Sequence, residues 1–129
     1  MPTLTIKGRL PGLNEIIDAS RANYRIGNAL KQETQEIVIW CIRQQLRGAK
    51  ITKPVILRYT FYEPNRRRDK DNIASGAHKI VQDALVKSGV LQNDGWKHIS
   101  NFEDRFDVDK DNPRVEIEIE EVEDGVRRV

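Results

Sequence analysis

The sequence predicts a fold of mixed strands and helices, with four strands and two main helices in one domain that spans residues 1–129. Two observations support this prediction. Three stretches alternate apolar and polar residues with a repeat of two, as half-buried strands do, and a fourth does so less regularly. Two longer stretches repeat apolar residues every three or four positions, which is typical of helices that pack by one face. A chain of this length is large enough to bury a single hydrophobic core.

The first half of the chain predicts one strand and one helix. Residues 4–8 alternate apolar and polar side chains and predict a strand that ends before Pro11. Residues 13–28 have no clean period and fit either a surface loop or a broken helix. A helix is predicted from Ala29 to Leu46, with Gly48 as its stop signal.

The second half predicts a strand, a helix and two further strands. Residues 55–61 alternate and predict a strand, and residues 73–85 repeat apolar side chains at the helical period and predict the clearest helix. An irregular strand is predicted over 96–106 and a half-buried strand over 115–119. The charged tail of about 122–129 is expected to be frayed.

Composition and charge exclude several classes of protein. Hydrophobic residues make up 38% of the chain, and no apolar run approaches the roughly 20 residues that span a bilayer. The N-terminus lacks the apolar block of a signal peptide. Cys41 is the single cysteine, which excludes an intrachain disulfide or a cysteine zinc site and fits a reducing cytoplasm. A net charge of +2 is too small for bulk attraction to DNA, so nucleic-acid contact requires local basic patches.

The densest chemistry lies in residues 65–72, where Asp69 and Asp71 stand beside three consecutive arginines. In an extended segment, side chains two residues apart point to the same side with Cα atoms roughly 6.5 Å apart, so these carboxylates would converge on one cation. On a helix they would diverge by about 200°. The pattern therefore indicates metal-dependent chemistry on phosphate. The alternative is a capped helix start, with Asp71 or Asn72 as the N-cap.

Carboxylates of this kind suit Mg²⁺, a hard cation that keeps several waters for a substrate phosphate to replace. Two carboxylates seldom suffice, so a third ligand is expected. Asp94 is the leading candidate, because it lies in the turn after the helix that begins near Asp71. The alternative makes Asp94 part of an ordinary Asn-Asp-Gly turn.

Basic residues beside the aspartates predict phosphate contacts. Arg66, Arg67 and Arg68 would bind phosphates through paired hydrogen bonds, with Lys70 next to them in the same segment. The alternative is a solvated loop of arginines.

Lys79 and the two tryptophans each admit two interpretations. Lys79 would offset the charge that develops on phosphate, or it pairs with Asp83 one helical turn along the chain. Trp40 and Trp96 are predicted to be core residues in preference to platforms for base stacking.

Three segments taken together resemble the RusA family of Holliday-junction resolvases. They are residues 66–73, with the sequence RRRDKDNI, residues 79–85, KIVQDAL, and residues 89–96, GVLQNDGW. The resemblance implies an α+β fold in which a mixed sheet of about four strands packs against two main helices. It also implies a homodimer that uses Mg²⁺, or Mn²⁺ as a substitute, to nick symmetric strands of four-way DNA junctions. Such an enzyme would serve DNA recombination and repair in the cytoplasm of a bacterial or phage-infected cell.

The resemblance carries roles to individual residues of this chain. Asp69 and Asp71 match the paired aspartates of the family, and Asp94 matches its third acidic residue. Lys79 matches the lysine on the helix, and Arg68 matches the basic residue before the first aspartate. The stretch between Asn72 and Lys79 is longer than in some members, in the manner of phage and prophage relatives.

Two rival functions remain open from the sequence. The first is a DNA-binding protein without catalysis, in which the acidic residues shape a docking surface. The second is a metal nuclease that acts on other branched DNA. A phosphate-binding glycine-rich loop is absent from the sequence, which disfavours a nucleotide-binding protein.

Overall fold

The computed structural model describes residues 2–123, which form four strands and three helices. In chain order they are β1 (Thr3–Lys7), α1 (Leu13–Ala22), α2 (Tyr24–Leu46), β2 (Val55–Glu63), α3 (Lys70–Lys87), β3 (Ile99–Val108) and β4 (Arg114–Glu121). The predicted α+β fold with a four-stranded mixed sheet is confirmed. A third helix, α1, occupies the segment whose structure the sequence left open.

The strands form one sheet in the order β1-β4-β2-β3. β4 pairs antiparallel with both β1 and β2, whereas β2 and β3 run parallel. Parallel neighbours require a crossover, and α3 supplies it. The carboxyl ends of β2 and β3 and the N-terminus of α3 therefore meet at one end of the molecule.

One face of the sheet is buried beneath the helices. Along β2 the alternate residues Leu57, Tyr59 and Phe61 are fully buried, and they pair across the sheet with buried positions of β4 such as Ile117. The other face carries charged and polar side chains, including Arg58, which pairs with Glu103 and Glu120. This separation is the one that period-two alternation predicts.

The N-termini of α1 and α3 approach each other closely at two glycines. A Cβ at Gly76 would lie 2.3 Å from the carbonyl oxygen of Pro11, and a Cβ at Gly12 would lie 2.5 Å from the side chain of Asn72. Asn72 also accepts a hydrogen bond from the Asn14 N–H at 2.6 Å. Only residues without a side chain allow this approach.

Residues 13–28 form a broken helix, one of the two predicted alternatives. α1 ends at Ala22, and Asn23 adopts an extended conformation before α2 begins. The Asn23 side chain accepts a hydrogen bond from the Arg25 N–H at 2.8 Å and so caps the second helix. α2 therefore begins at Tyr24, five residues before the predicted start at Ala29.

The prediction that both tryptophans lie in the core is wrong. Trp40 is 64% exposed on the outer side of α2, and Trp96 is 98% exposed in the turn before β3. Residue type favours burial, but the position on the helix and in the turn decides exposure here.

The end of the chain and the length of the helices complete the description. Val122 donates a hydrogen bond to the Pro54 carbonyl at 2.8 Å, and Glu123 pairs with Lys53. The rest of the predicted frayed tail, 124–129, lies outside the described residues. None of the three described helices combines the length and apolar character that a membrane crossing requires.

We expect Gly76→Ala to destabilise the protein, although alanine in a helix is normally about 1 kcal/mol more favourable than glycine. The added methyl group meets the backbone of Pro11 and Gly12, and such overpacking typically costs about 1–3 kcal/mol. Thermal melting should show a lower transition temperature than wild type. Ser75→Ala, at an exposed position of the same helix, is the control. A rise in the transition temperature of both variants would contradict the close contact at Gly76.

Candidate active site

A cleft of about 790 Å³ opens where the carboxyl ends of β2 and β3 meet the N-terminus of α3. This location follows from the crossover, because the loops after parallel strands lie at one edge of the sheet. Four acidic residues line the cleft: Glu63, Asp69, Asp71 and Asp107. Some of these carboxylates are bonded to other side chains of the protein, and others have no such partner.

Asp69 and Asp71 are brought together in the cleft, with free carboxylates. Asp69 is the N-cap of α3 in an extended conformation, but its side chain makes no capping hydrogen bond. Asp71 lies in the first helical turn. Within residues 2–123, no ion pair or hydrogen bond occupies either carboxylate. The predicted N-cap at Asp71 or Asn72 is wrong, because α3 begins at Lys70, three residues before the apolar period begins at Ile73.

Arg68 is turned inward, away from solvent. Its guanidinium donates to both carboxylate oxygens of Glu63, at 3.1 and 2.8 Å, and to the Leu10 carbonyl at 2.9 Å. It also donates to Glu15 at 2.7 Å. Burial acts to lower the pKa of Arg68, but hydrogen bonds to the two glutamates raise it above the ordinary value. Four of its five N–H donors are engaged within the chain, so the structure gives Arg68 a positioning contact, and its DNA contact stays a prediction.

The other basic residues of the segment are exposed. Arg66 and Lys70 line the cleft, and the Lys70 ammonium lies 5.8 Å from the centroid of the Phe106 ring. Arg67 lies beside the cleft, and its backbone N–H donates to the Asn65 side chain at 3.0 Å. Three of the four predicted DNA-binding residues therefore present their charges to solvent at one place.

A family model with the description Endodeoxyribonuclease RusA matches residues 29–120. The chain belongs to the RusA family. The chain matches no curated protein.

RusA-family membership identifies the activity as that of an endonuclease on DNA, and the matched residues include the whole cleft. β1 and α1 lie outside the match. The residues of α1 and its preceding loop that hold Arg68, namely Leu10 and Glu15, therefore belong to the part of the chain that the family model does not cover.

Asp94 does not join the other two predicted RusA ligands within one chain. The helix α3 has 18 residues and so carries the chain about 27 Å away from the cleft. Ile99, five residues after Asp94, pairs beside Val55 at the start of β2. Asp94 thus lies in a turn at the opposite end of the sheet from Asp69.

Lys79, the RusA-like helix lysine, is not in the cleft either. It lies nine residues into α3, about 13 Å along the helix axis from its start. Its side chain is 71% exposed and pairs with Asp83 at 3.3 Å. The structure thus forms the i,i+4 pair with Asp83, which is the second of the two interpretations of Lys79.

Sequence reasoning missed Glu63 and Asp107. The burial of Glu63 could have been predicted, since the alternation that buries Tyr59 and Phe61 also places residue 63 inward. Glu63 is only 5% exposed. Asp107 was not, because its position beside the cleft depends on the parallel pairing of β3 with β2. Its carboxylate accepts a hydrogen bond from the Val108 N–H at 2.8 Å.

The cleft suits a hard divalent cation better than zinc. Within the described part of the chain, no three His, Cys, Asp or Glu side chains converge closely enough to hold a metal by themselves. Structural and catalytic zinc sites need three or four such ligands. Mg²⁺ commonly binds through one or two carboxylates and completes its shell with water and substrate phosphate. The free oxygens of Asp69 and Asp71 fit that requirement.

We expect Glu15 to make stability depend on pH. Burial opposes it, but the Gly12 N–H and the Arg68 guanidinium hold the pKa of Glu15 below its ordinary value of 4.5. A depressed folded-state pKa stabilises the fold above the unfolded-state pKa, and this contribution is lost as pH falls through the folded-state value. Glu15→Gln should therefore melt at a lower temperature than wild type at pH 7, and the difference should shrink as pH falls below 4.5.

Asp18→Asn provides the control for Glu15, because Asp18 is an exposed acid on the same helix. Its difference from wild type should not follow the same pH course. A Glu15→Gln difference that stays constant from pH 7 to pH 3 would show that the carboxylate charge contributes nothing.

Proposed function

We propose that this RusA-family protein is a divalent-metal-dependent endonuclease that resolves four-way DNA junctions by paired symmetric nicks. The observation that carries the proposal is the pair of free carboxylates, Asp69 and Asp71, in a cleft beside Arg66 and Lys70. Acids without internal partners next to exposed cations are the arrangement expected for metal and phosphate together.

Asp69 and Asp71 would hold Mg²⁺, for which Mn²⁺ is a chemically reasonable substitute. When bound, such a cation polarises the scissile phosphate and makes water more acidic. The protein holds the ligand residues in place. Asp69 is fixed at the helix start by the preceding Arg68, whose guanidinium is anchored to Glu63.

Arg66 and Lys70 would bind the phosphate oxygens of the cleaved strand. Arg67 would contact the adjoining phosphates of the DNA backbone. Arginine offers paired donors to phosphate, whereas lysine acts as a point charge. Contacts of this kind set the position of DNA without reading its sequence, so selection of a junction would depend on the shape of the branched DNA.

We also propose that the active form is a homodimer in the cytoplasm of a bacterial or phage-infected cell. A four-way junction contains pairs of equivalent strands, which two identical sites related by a twofold axis would match. Asp94 lies at the opposite end of the sheet from Asp69, so a role for Asp94 as a ligand requires the turn of a second copy.

Asp71→Asn should abolish metal-dependent nicking of a labelled four-way junction, while folding and junction binding persist. The substitution removes one exposed charge without emptying the core. Cleavage is measured with Mg²⁺ and Mn²⁺ beside a linear duplex of matched sequence, and folding is measured by circular dichroism.

Asp18→Asn removes the same charge outside the cleft and should cleave like wild type. Equal cutting of junction and duplex by wild type would point to a less selective nuclease. Junction binding without cleavage under both metals would point to a non-catalytic binder, and loss of folding in Asp71→Asn would make that aspartate structural.

The arrangement of Asp94 predicts rescue between two inactive proteins. In a mixed dimer of Asp71→Asn and Asp94→Asn, one of the two shared sites is intact. The Asp94→Asn protomer supplies Asp71 to that site, and the Asp71→Asn protomer supplies Asp94. Co-expression with two affinity tags should therefore restore nicking of one strand of the junction.

Mixed dimers of Asp69→Asn with Asp71→Asn serve as the control, since neither cleft is intact in any arrangement. Absence of rescue in purified Asp71→Asn and Asp94→Asn mixed dimers would contradict a shared site. Full activity of Asp94→Asn alone would remove Asp94 from the proposed ligands.

A further inference from the structure

The cleft is larger than a metal ion and one phosphate require. Its volume is about 790 Å³. An octahedral Mg²⁺ with six waters occupies roughly 200 Å³, because each water takes about 30 Å³ in the liquid. The space that remains lies within the roughly 300–1,000 Å³ that sites for small organic ligands typically have.

The β3 side of the cleft is apolar. Phe106 and Val108 lie two residues apart on one face of this strand, and both line the cleft together with Ile73. Val108 is 42% exposed. Metal ions and phosphate gain nothing from an apolar wall, whereas a flat organic ring buries surface against it.

Phe106 is the last of three stacked aromatic rings that run from the core to the cleft. Its centroid lies 5.2 Å from that of Phe61, with 18° between the ring planes, and Phe61 lies 5.7 Å from Tyr59. β3 is the edge strand of the described sheet, so no further strand covers the outer side of Phe106. The Lys70 ammonium lies near this ring. A ring supported on one face, with a cation over it 5.8 Å from its centroid, provides a platform on which a nucleobase stacks.

We propose that the cleft binds one unstacked nucleobase of the cleaved strand against Phe106 and Val108. The adjoining phosphodiester then lies beside Asp69, Asp71 and Lys70, all within the same cleft. This inference rests on the proposed function, because it takes branched DNA as the substrate. Unstacking a base costs least where its pairing or stacking is already disturbed. The cleft would therefore favour a branch point over an intact duplex.

The test places 2-aminopurine, whose fluorescence rises when it leaves the base stack, at each nucleotide that flanks the nick. Mg²⁺ is present, and a non-hydrolysable methylenephosphonate linkage at the nick keeps the strand uncut. Wild type should raise the fluorescence at one of these nucleotides. Phe106→Leu, which removes the ring, and Val108→Trp, which fills the cleft, should not raise it and should lower kcat/KM for cleavage roughly tenfold or more.

Phe102→Leu is the matched control for Phe106→Leu. Phe102 lies on the same face of β3, is 46% exposed and stacks on His78, outside the cleft. It should behave like wild type, and Phe106→Tyr, which keeps the ring, should restore both signals. Val108 is exposed, so Val108→Trp decides the matter where Phe106→Leu fails to fold.

Three results would overturn the base-binding proposal. Wild type that cleaves junctions without a fluorescence change at any flanking nucleotide would overturn this proposal alone. Unchanged kcat/KM in folded Phe106→Leu and Val108→Trp would do the same. Wild type that neither binds nor cleaves branched DNA would overturn the proposed function, and the base site with it.

Discussion

The geometry of the cleft depends on one buried ion pair, between Glu63 at the end of β2 and Arg68 at the end of the connection into α3. The guanidinium donates to both carboxylate oxygens, and the two side chains are nearly inaccessible to solvent. Removal of one member of a buried pair typically costs about 3–5 kcal/mol, because the other charge is left uncompensated, whereas replacement of the whole pair by apolar residues is often neutral. The main effect of the pair is therefore to hold the backbone in place and not to stabilise the fold. It fixes the residue directly before Asp69, and through Glu15 it ties that residue to α1.

The second constraint is the approach of α1 to α3 at Gly12 and Gly76. A residue with a side chain at either position would push the two N-termini apart. Asn72 links the same two helices by its bond to the Asn14 N–H. The start of α3 is thus held from both sides, by β2 through Arg68 and by α1 through these contacts. A functional group needs this kind of second layer of support to keep its geometry.

The periodic elements were predictable from the sequence, and the contacts between them were less so. The alternation of residues 55–61 gave β2, and the helical period of residues 73–85 gave the core of α3, because both patterns report directly on one buried face. Asp69 and Asp71 both line the cleft, but the extended backbone on which their spacing argument depended ends at Asp69, because Lys70 and Asp71 are helical. The inward orientation of Arg68 depends on where Glu63 and Glu15 lie in three dimensions. In the sequence, Arg68 looks the same as the two arginines beside it. The prediction of Asp94 beside Asp69 requires the chain to return to the start of α3, whereas the 18 residues of α3 separate its two ends by about 27 Å.

The charge of the cleft favours the binding of a cation. Glu63 and Arg68 neutralise each other, which leaves three carboxylates, those of Asp69, Asp71 and Asp107, against the two cations of Arg66 and Lys70. The cleft therefore carries one net negative charge, and a phosphodiester that enters it raises this to two. All five charged residues are exposed, so water screens this repulsion in part. One divalent cation cancels both charges, and the two basic residues are already counted in that sum. Binding of the scissile phosphate and binding of the metal should for this reason be cooperative, each raising the affinity of the cleft for the other.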